Sequence, residues 1–245
     1  MNIAVVIPAY NEARTIREVV EQALQQCPQV IVVDDGSQDG TAQQLDGLPV
    51  TLLRNPVNLG KAASLWRGMQ AALKLGVAGV MTLDGDGQHD PRDIPRLLAV
   101  AEKYPAHVVI GSRLHEKVNI PRRRYLANRF ANFWIAWAAG YPIADSQSGF
   151  RYYPAELLRR VSLQHEPRHS FVFESEILIE GGRRGIRSVA TPIAAIYRDN
   201  ARPSHFRPVL DIVRITRMVA WKLFKRGMFP LGLYRSLSGK ALIVE

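Results

Sequence analysis

The first 112 residues alternate between short apolar runs and helical stretches, and this alternation limits the possible folds more than any other feature. The apolar runs are rich in β-branched residues, whereas the stretches between them carry apolar residues at helical spacing. Strands and helices in this order form a mostly parallel sheet with helices on both faces, so we predict an α/β fold. The predicted strands are residues 3–8, 30–33, 50–53, 79–83 and 107–111, and the predicted helices are 12–26, 41–45, 61–75 and 94–104.

Polar clusters follow several of the predicted strands. Because the carboxyl ends of parallel strands meet at one edge of a sheet, ligands of open α/β proteins bind at that edge. Turns and helix caps explain one aspartate per turn, but they do not explain the pairing of Asp84 with Asp86. The clusters are YNE at 10–12, DDGS at 34–37, DGDG at 84–87 and GSR at 111–113.

Asp84 and Asp86 form the most specific of these clusters. Two carboxylates one residue apart can converge on a hard divalent cation, and Mg²⁺ prefers one or two carboxylates together with substrate phosphates and water. Gln88 and His89 lie close enough in the sequence to add or orient ligands. Lys61, at the end of the turn NLGK, suits either a phosphate or the fixing of the aspartate loops.

Several function classes have no support in the sequence. The chain has no P-loop, no dinucleotide-binding glycine motif and no G-x-S-x-G nucleophile motif. A single cysteine, Cys27, excludes an intramolecular disulfide framework and a cysteine-based zinc site. The first twenty residues do not resemble a secretory signal, and the longest apolar run, at 130–144, is shorter than a membrane-spanning helix requires.

The basic charge is concentrated in the second half of the chain. Residues 1–120 hold 11 basic and 13 acidic residues, whereas residues 121–245 hold 21 basic and 9 acidic ones. This asymmetry indicates a polyanionic partner, such as a membrane surface, phosphates or nucleic acid. Nucleic acid is not expected, because the basic residues are scattered among apolar helical stretches and no nucleic-acid-binding motif is present.

Two stretches of the second half, 125–139 and 206–226, combine an apolar face with cations. Such helices can lie in a membrane interface, but they can also pack as ordinary amphipathic helices on their own domain. We predict a catalytic domain at 1–205 and a basic helical extension at 206–245 that is a candidate for membrane binding. The charged stripe of the second stretch consists of Arg207, Asp211, Arg214, Lys222 and Lys225.

Four motifs, in order, resemble those of known glycosyltransferases. VIPAYNE at 6–12, VDDGS at 33–37 and LDGDGQHDP at 83–91 are similar to the inverting family 2 glycosyltransferases. DSQSGFR at 145–151 resembles their polyprenyl-phosphate branch, typified by dolichol-phosphate mannose synthase. The resemblance covers roughly residues 2–205 and implies a glycosyltransferase A (GT-A) type fold, with a Rossmann-like, mostly parallel sheet.

The resemblance also implies roles for individual residues. Asp84 and Asp86, with Gln88, would hold Mg²⁺ or Mn²⁺ against the donor diphosphate. Arg113 would contact the acceptor phosphate or the sugar. Ser148 and Arg151 would help to bind an anionic acceptor. The donor nucleotide and its phosphates would contact Pro8, Tyr10, Glu12, Asp35, Lys61 and Gly85.

Two interpretations remain open for each of three further residues, Arg198, Asp145 and Glu174. The basic residues that the branch carries after its last core strand are shifted here, so Arg198, Arg202 and His205 could share the donor-phosphate role, although Arg198 could equally be a solvated surface charge. Asp145 could act as the general base for a hydroxyl acceptor, or it could orient its own loop. Glu174 could stabilise the start of a helix or line the wall of the site.

The sequence therefore predicts a metal-dependent inverting glycosyltransferase that moves a sugar from a GDP- or UDP-sugar to a lipid-linked or lipid acceptor. Polyprenyl phosphate is the leading candidate for that acceptor. We expect it to be cytoplasmic and peripheral at the cytoplasmic face of the membrane. Two alternatives remain. One is a soluble transferase with a hydroxyl acceptor, and the other is a pseudoenzyme that only binds a nucleotide-sugar.

Overall fold

A computed structural model describes residues 1–113, 122–161, 172–194, 196 and 208–245. At 122–127 and 208–212 it describes the backbone alone. The strands are β1 (Ile3–Ala9), β2 (Val30–Asp34), β3 (Thr51–Arg54), β4 (Gly79–Thr82), β5 (Val108–Ser112), β6 (Arg151–Pro154), β7 (Ser188–Pro192) and β8 (Leu242–Ile243). The helices are α1 (Ile16–Gln26), α2 (Lys61–Lys74), α3 (Ile94–Lys103), α4 (Arg122–Ala139), α5 (Ala155–Arg160), α6 (Val172–Arg183), α7 (Pro208–Phe224) and α8 (Pro230–Ser238).

In this part of the chain the strands form one sheet in the order β3-β2-β1-β4-β6-β5-β7-β8. Every neighbouring pair is parallel except those of β6, which runs antiparallel to both β4 and β5. The prediction of a mostly parallel α/β sheet is confirmed. Because β6 is reversed, the loop that precedes it reaches the same edge of the sheet as the loops that follow β4 and β5.

The sheet separates two hydrophobic cores, and the alternation of side chains along β1 explains both. Val6 packs on one face with Leu65 and Met69 of α2. Val5 and Ile7 pack on the other face, in the core that includes residues of α1 and α3. Since β1 is buried along its whole length, it reads as a continuous apolar run, as expected of a central strand.

Two of the predicted helices differ from the observed elements. The helix predicted at 12–26 begins at Ile16, because the backbone N–H groups of the preceding residues bind side chains of the loop after β2. The helix predicted at 41–45 is a single 3-10 turn at Gln43–Leu45. Both differences arise where the loops after β1 and β2 meet.

The described part of 206–245 is integrated with the rest of the chain. β8 pairs with β7 as the edge strand of the sheet, α7 packs on α6 and α4, and α8 packs on α4. The described part of this segment therefore packs directly against the edge of the sheet and the helices that precede it. Within the described residues, no helix has both the length and the apolarity needed to cross a bilayer.

Candidate functional site

The loops after β1 and β2 are joined by reciprocal hydrogen bonds. The backbone N–H of Asn11 donates to Ser37 Oγ at 2.8 Å, and the N–H of Gln38 donates to Asn11 Oδ1 at 2.8 Å. The N–H of Glu12 donates to Thr41 Oγ1 at 2.8 Å. These bonds fix the backbone of the YNE segment at the carboxyl edge of the sheet.

Asp35 fixes the loop that leads into α2. Its carboxylate is 3% exposed and accepts from the backbone N–H groups of Leu59, at 2.9 Å, and Gly60, at 2.8 Å. The side chain of Asn55 donates to the same carboxylate at 2.7 Å. Asp35 was predicted to contact the nucleotide, but in this structure it holds the loop that places Lys61 at the start of α2.

Lys61 lies among carboxylates at the centre of the site. Its Nζ is 2.6 Å from Asp84 Oδ1 and 3.4 Å from Glu174 Oε1. Gly149 closes the space beside them, because a Cβ built on it would lie 2.9 Å from Asp84 Oδ2 and 3.1 Å from Lys61 Nζ. Four separate parts of the chain therefore meet here: α2, the loop after β4, the loop before β6 and the first turn of α6.

The pKa shifts follow from these contacts. Burial alone would raise the pKa of Asp84, but the charge of Lys61 lowers that pKa to about 2. Burial would lower the pKa of Lys61, but Asp84 and Glu174 hold it above its usual value. For Asp86, burial and the neighbouring charge of Asp84 raise the pKa. Asp84 and Lys61 are therefore both charged at neutral pH.

His89 packs against Phe150, and it holds the backbone of the loop that carries Asp84. Its ring is buried against Phe150, with the ring centres 5.4 Å apart, and its Nδ1 lies 3.4 Å from the backbone N–H of Asp84, which donates to it. Burial lowers the pKa of His89 to about 3, so the ring is neutral. These contacts give His89 a positioning role.

The loop before β6 is held by two buried polar residues. Asp145 accepts from the backbone N–H groups of Gln147, at 2.9 Å, and Ser148, at 3.2 Å. The guanidinium of Arg151 is 0% exposed and donates to the carbonyl oxygens of Ser148, Glu174 and Ser146 at 2.6, 2.9 and 2.8 Å. The loop and the start of α6 are thus fixed by one side chain.

The acceptor-binding role expected of Arg151 stays a prediction. In this structure its guanidinium is fully buried and donates to three carbonyl oxygens, which is a structural role. Ser148, predicted with it, is also buried, and its Oγ accepts from the backbone N–H of Phe150 at 3.4 Å. Of the two interpretations of Asp145, the structure favours the one in which it orients its own loop.

The remaining predicted residues that the structure describes lie at or near the same edge. Pro8 is buried at the end of β1, and Gly85 packs beneath it, since a Cβ on Gly85 would lie 3.3 Å from the Pro8 carbonyl oxygen. Tyr10 and Glu12 are partly exposed in the loop after β1, and Arg113 is partly exposed after β5. The side chains of Arg198, Arg202 and His205 lie outside the described residues.

Sequence reasoning missed two contributions to the site and misread one charged residue. Asn55 lies in none of the motifs, and Gly149 lies in the 145–151 motif but was given no role there; only the folded contacts reveal what the two residues do. Glu174 lies in the wall of the site, which the spacing of FVFESE left open. Lys222, predicted in an exposed cationic stripe, is instead 7% exposed and pairs with Glu176 at 2.9 Å and Glu180 at 2.7 Å.

The chemistry of the residues present suits a divalent cation. Asp84 and Asp86 offer carboxylate oxygens beside Gln88, and hard cations prefer such oxygen ligands. Glu174 Oε1 is buried and has no hydrogen-bond partner among the residues that the structure describes. In the same residues, no group of three or more His, Cys, Asp or Glu side chains is gathered as a metal-binding set, and Lys61 holds Asp84.

Comparison with solved structures supports the fold. Glucosyl-3-phosphoglycerate synthase from Mycobacterium tuberculosis, crystallised with Mn²⁺ and UDP-glucose, is 22% identical and superposes with a TM-score of 0.62 over 94% of this chain and 80% of that one. The same enzyme was crystallised with Mg²⁺ and UDP, and there the TM-score is also 0.62. The mostly parallel sheet is therefore that of GT-A glycosyltransferases, as predicted.

The sequence has relatives with named activities. Polyprenol monophosphomannose synthase from Mycolicibacterium smegmatis is 30% identical over 80% of this chain and 77% of that protein. The UDP-N-acetylglucosamine–dolichyl-phosphate N-acetylglucosaminyltransferase of Methanococcus voltae is 29% identical over 80% of this chain and 86% of its own length. Residues 4–178 match glycosyl transferase family 2, and this chain belongs to that family of enzymes.

Proposed function

We propose that this glycosyltransferase moves a sugar, with inversion, from a GDP- or UDP-sugar to a lipid-phosphate acceptor. Polyprenyl phosphate is the leading candidate for that acceptor. One observation carries the proposal: Asp84, Asp86 and Lys61 lie together at the carboxyl edge of a family 2 sheet. The names of the relatives support the acceptor class, because they include polyprenol- and dolichyl-phosphate enzymes.

The donor would lie across the loops after β1, β2 and β4. Tyr10 and Glu12 would contact the nucleotide from a backbone that the loop after β2 fixes, and Pro8 and Gly85 would form the floor beneath them. Asp35 would act through the loop before α2 by placing Lys61 near the diphosphate. Arg198, Arg202 and His205 remain proposed donor-phosphate contacts.

Asp84, Asp86 and Gln88 would hold Mg²⁺ or Mn²⁺. When bound, such an ion neutralises the charge that develops on a departing nucleoside diphosphate. Arg113 adds positive charge to the same region, since its charge favours the ionised forms of both Asp84 and Asp86. We assign Arg113 to the acceptor phosphate or the sugar, next to the carboxylates.

The buried state of Asp145 favours a phosphate acceptor over a hydroxyl acceptor. A hydroxyl group needs a general base, whereas a phosphate is already ionised. The Asp145 carboxylate is turned toward the backbone of its own loop and toward Ser112 Oγ at 3.3 Å. Within the part of the chain that the structure describes, no observation favours the hydroxyl alternative.

We further propose that the enzyme binds an anionic membrane surface through one apolar face. The outer face, as we call it, consists of the exposed side chains Val213, Trp221, Phe224, Leu231, Tyr234 and Leu237 on α7 and α8. The cations Arg217 and Arg235 are exposed on the same two helices. Lys225, the residue after α7, is also exposed, and its Nζ lies 4.8 Å from the Trp221 ring centre. Apolar side chains bordered by cations suit anionic lipid head groups.

Calorimetric titration with UDP and GDP, each with Mn²⁺ and with EDTA, tests the donor site. We expect one nucleotide to bind with Mn²⁺ and to lose at least about tenfold in affinity in EDTA or in the Asp86→Asn variant. Equal binding with and without Mn²⁺ would overturn the metal assignment. No binding of either nucleotide would overturn the proposed donor site and would also count against a pseudoenzyme that binds these nucleotide-sugars.

A further inference from the structure

Lys61 occupies the position beside Asp84 that a divalent cation would need. We propose that Lys61 acts as the counter-ion of Asp84 while no metal is bound. It must move away from Asp84 before a metal binds, and it then pairs with the donor diphosphate. Metal and nucleotide would therefore enter the site together. The inference rests on the proposed function and deepens it, because it concerns how the same site is loaded.

The contacts place Lys61 against Asp84 with little room for a second cation. Nζ is 2.6 Å from Asp84 Oδ1, and Gly149 packs against the same pair, so that a Cβ on it would lie 2.9 Å from Asp84 Oδ2 and 3.1 Å from Lys61 Nζ. The Lys61 and Asp84 side chains are 22% and 26% exposed, so the pair is only partly screened by water. An ammonium and a divalent cation repel each other strongly at such distances.

Glu174 gives Lys61 a second partner within reach. Its Oε1 is 3.4 Å from Nζ, its side chain is 7% exposed, and it has no hydrogen-bond partner in the described part of the chain. A lysine side chain is long and flexible, so Nζ can move away from Asp84 without leaving this group of charges. Glu174 thus keeps Lys61 within the site when Asp84 is released.

The charges predict cooperative loading. A metal that binds alone must break the Lys61–Asp84 pair and then lie near a displaced ammonium. When a diphosphate binds as well, Lys61 gains a new anionic partner and the metal gains phosphate ligands. Because coupling between two ligands is reciprocal, the nucleotide should strengthen metal binding by the same factor as the metal strengthens nucleotide binding.

Titration of Mn²⁺ followed by electron paramagnetic resonance tests this without measuring catalysis. We expect Lys61→Met to bind Mn²⁺ alone about tenfold tighter than the wild type, and to show a coupling with UDP or GDP that is reduced by a similar factor. Lys61→Arg keeps the charge and should retain weak binding of Mn²⁺ alone. Lys74→Met, at the exposed end of the same helix, should behave as the wild type in both titrations.

Removal of Lys61 alone leaves the partly buried Asp84 and the buried Glu174 without their cation, so a second variant controls for misfolding. Lys61→Met/Glu174→Gln removes one charge of each sign and keeps Asp84 and Asp86. It should also bind Mn²⁺ alone more tightly than the wild type. Unchanged or weaker binding of Mn²⁺ alone in this folded double variant would overturn the inference. Failure of the wild type to bind Mn²⁺ with either nucleotide would instead overturn the proposed donor site.

Discussion

Gly149 brings the loop before β6 closest to the charged residues of the site. A Cβ at this position would lie within 2.9 to 3.2 Å of Asp84 Oδ2, Lys61 Nζ and Glu174 Oε1. The side-chain ends that it meets are flexible enough to move, but they are the groups whose positions matter for the donor. A single methyl group therefore tests whether this cluster is functional.

We predict that Gly149→Ala lowers glycosyl transfer by at least about tenfold, because displacing reacting groups by a fraction of an ångström is costly. Its free energy of unfolding should change by less than about 1 kcal/mol. Gly76→Ala is the matched control, since Gly76 has φ +69° with nothing within 4 Å of its Cβ position. That control should lose about 1 kcal/mol of stability and keep its activity. Normal activity in Gly149→Ala would contradict the assignment.

At the residue scale, sequence reasoning succeeded where a motif carried the chemistry and failed where burial decided the role. The DGDG pattern led to Asp84 and Asp86, which the fold brings next to Lys61. Arg151 and Lys222 looked like available cations, because a sequence does not show which carbonyl oxygens or carboxylates a buried cation meets. Some of the decisive partners are distant in the chain: Glu174 lies 23 residues from Arg151, and Glu176 and Glu180 of α6 pair with Lys222 of α7.

The helix α6 connects the site to the C-terminal helices. Glu174 in its first turn contacts Lys61, whereas Glu176 and Glu180 pair with Lys222 of α7. Glu180 also accepts from Arg184 at 2.6 Å and from Arg183 at 3.1 Å. This buried group of charges fixes α7 against α6, and α7 carries part of the outer face.

The same contacts predict how stability depends on pH. Burial would raise the pKa of Glu180, but the hydrogen bonds from Lys222 and Arg184 lower it from 4.5 to about 2. Because the folded pKa is depressed, this stabilisation is present above about pH 4.5 and is lost as the pH falls toward 2. Glu180→Gln should therefore lose about 3 kcal/mol of unfolding free energy at pH 7 and less than about 2 kcal/mol at pH 3.

Urea unfolding at both pH values measures this difference. Glu156→Gln provides the control, because Glu156 pairs with Arg160 on α5 with both side chains about 60% exposed. That variant should change the stability by less than about 1 kcal/mol at either pH. If Glu180→Gln loses as much unfolding free energy at pH 3 as at pH 7, the charge of Glu180 is not what stabilises the contact between α6 and α7.

At the element scale, the periodicity of the first half predicted most strands and helices, because central strands and amphipathic helices bury regular patterns of side chains. The reversed strand β6 and the short edge strand β8 were not predicted. β8 is two residues long, which is too short to show a period, and β6 begins with an arginine and ends in a proline, so it does not form an apolar run. Their pairing depends on contacts made across the whole sheet.

At the scale of the whole molecule, the outer face and the basic charge lie in the same half of the chain. We predict that the protein sediments with vesicles that contain an anionic phospholipid and much less with neutral vesicles. Trp221→Ser/Phe224→Ser should weaken this binding by at least about tenfold, because each aromatic side chain buries about 150–250 Å² when inserted. Both side chains are more than half exposed, so their loss should have little effect on folding.

Leu75→Ser, at the exposed end of α2, is the control for this test. It removes an exposed apolar side chain that lies outside the outer face, and it should leave vesicle binding unchanged. Equal binding by Trp221→Ser/Phe224→Ser and the wild type would exclude the outer face as the contact. Absence of binding to anionic vesicles would exclude the membrane partner.

Glycosyl transfer to polyprenyl phosphate is the most direct test of the account. Purified enzyme would be incubated with labelled UDP- and GDP-sugars, Mn²⁺ and either polyprenyl phosphate or the corresponding alcohol, and the lipid product would be separated and its anomeric configuration determined. We predict that label moves to the phosphate with inversion, that the alcohol is not glycosylated, and that Asp86→Asn abolishes the product. Transfer to the alcohol but not to the phosphate would contradict the account.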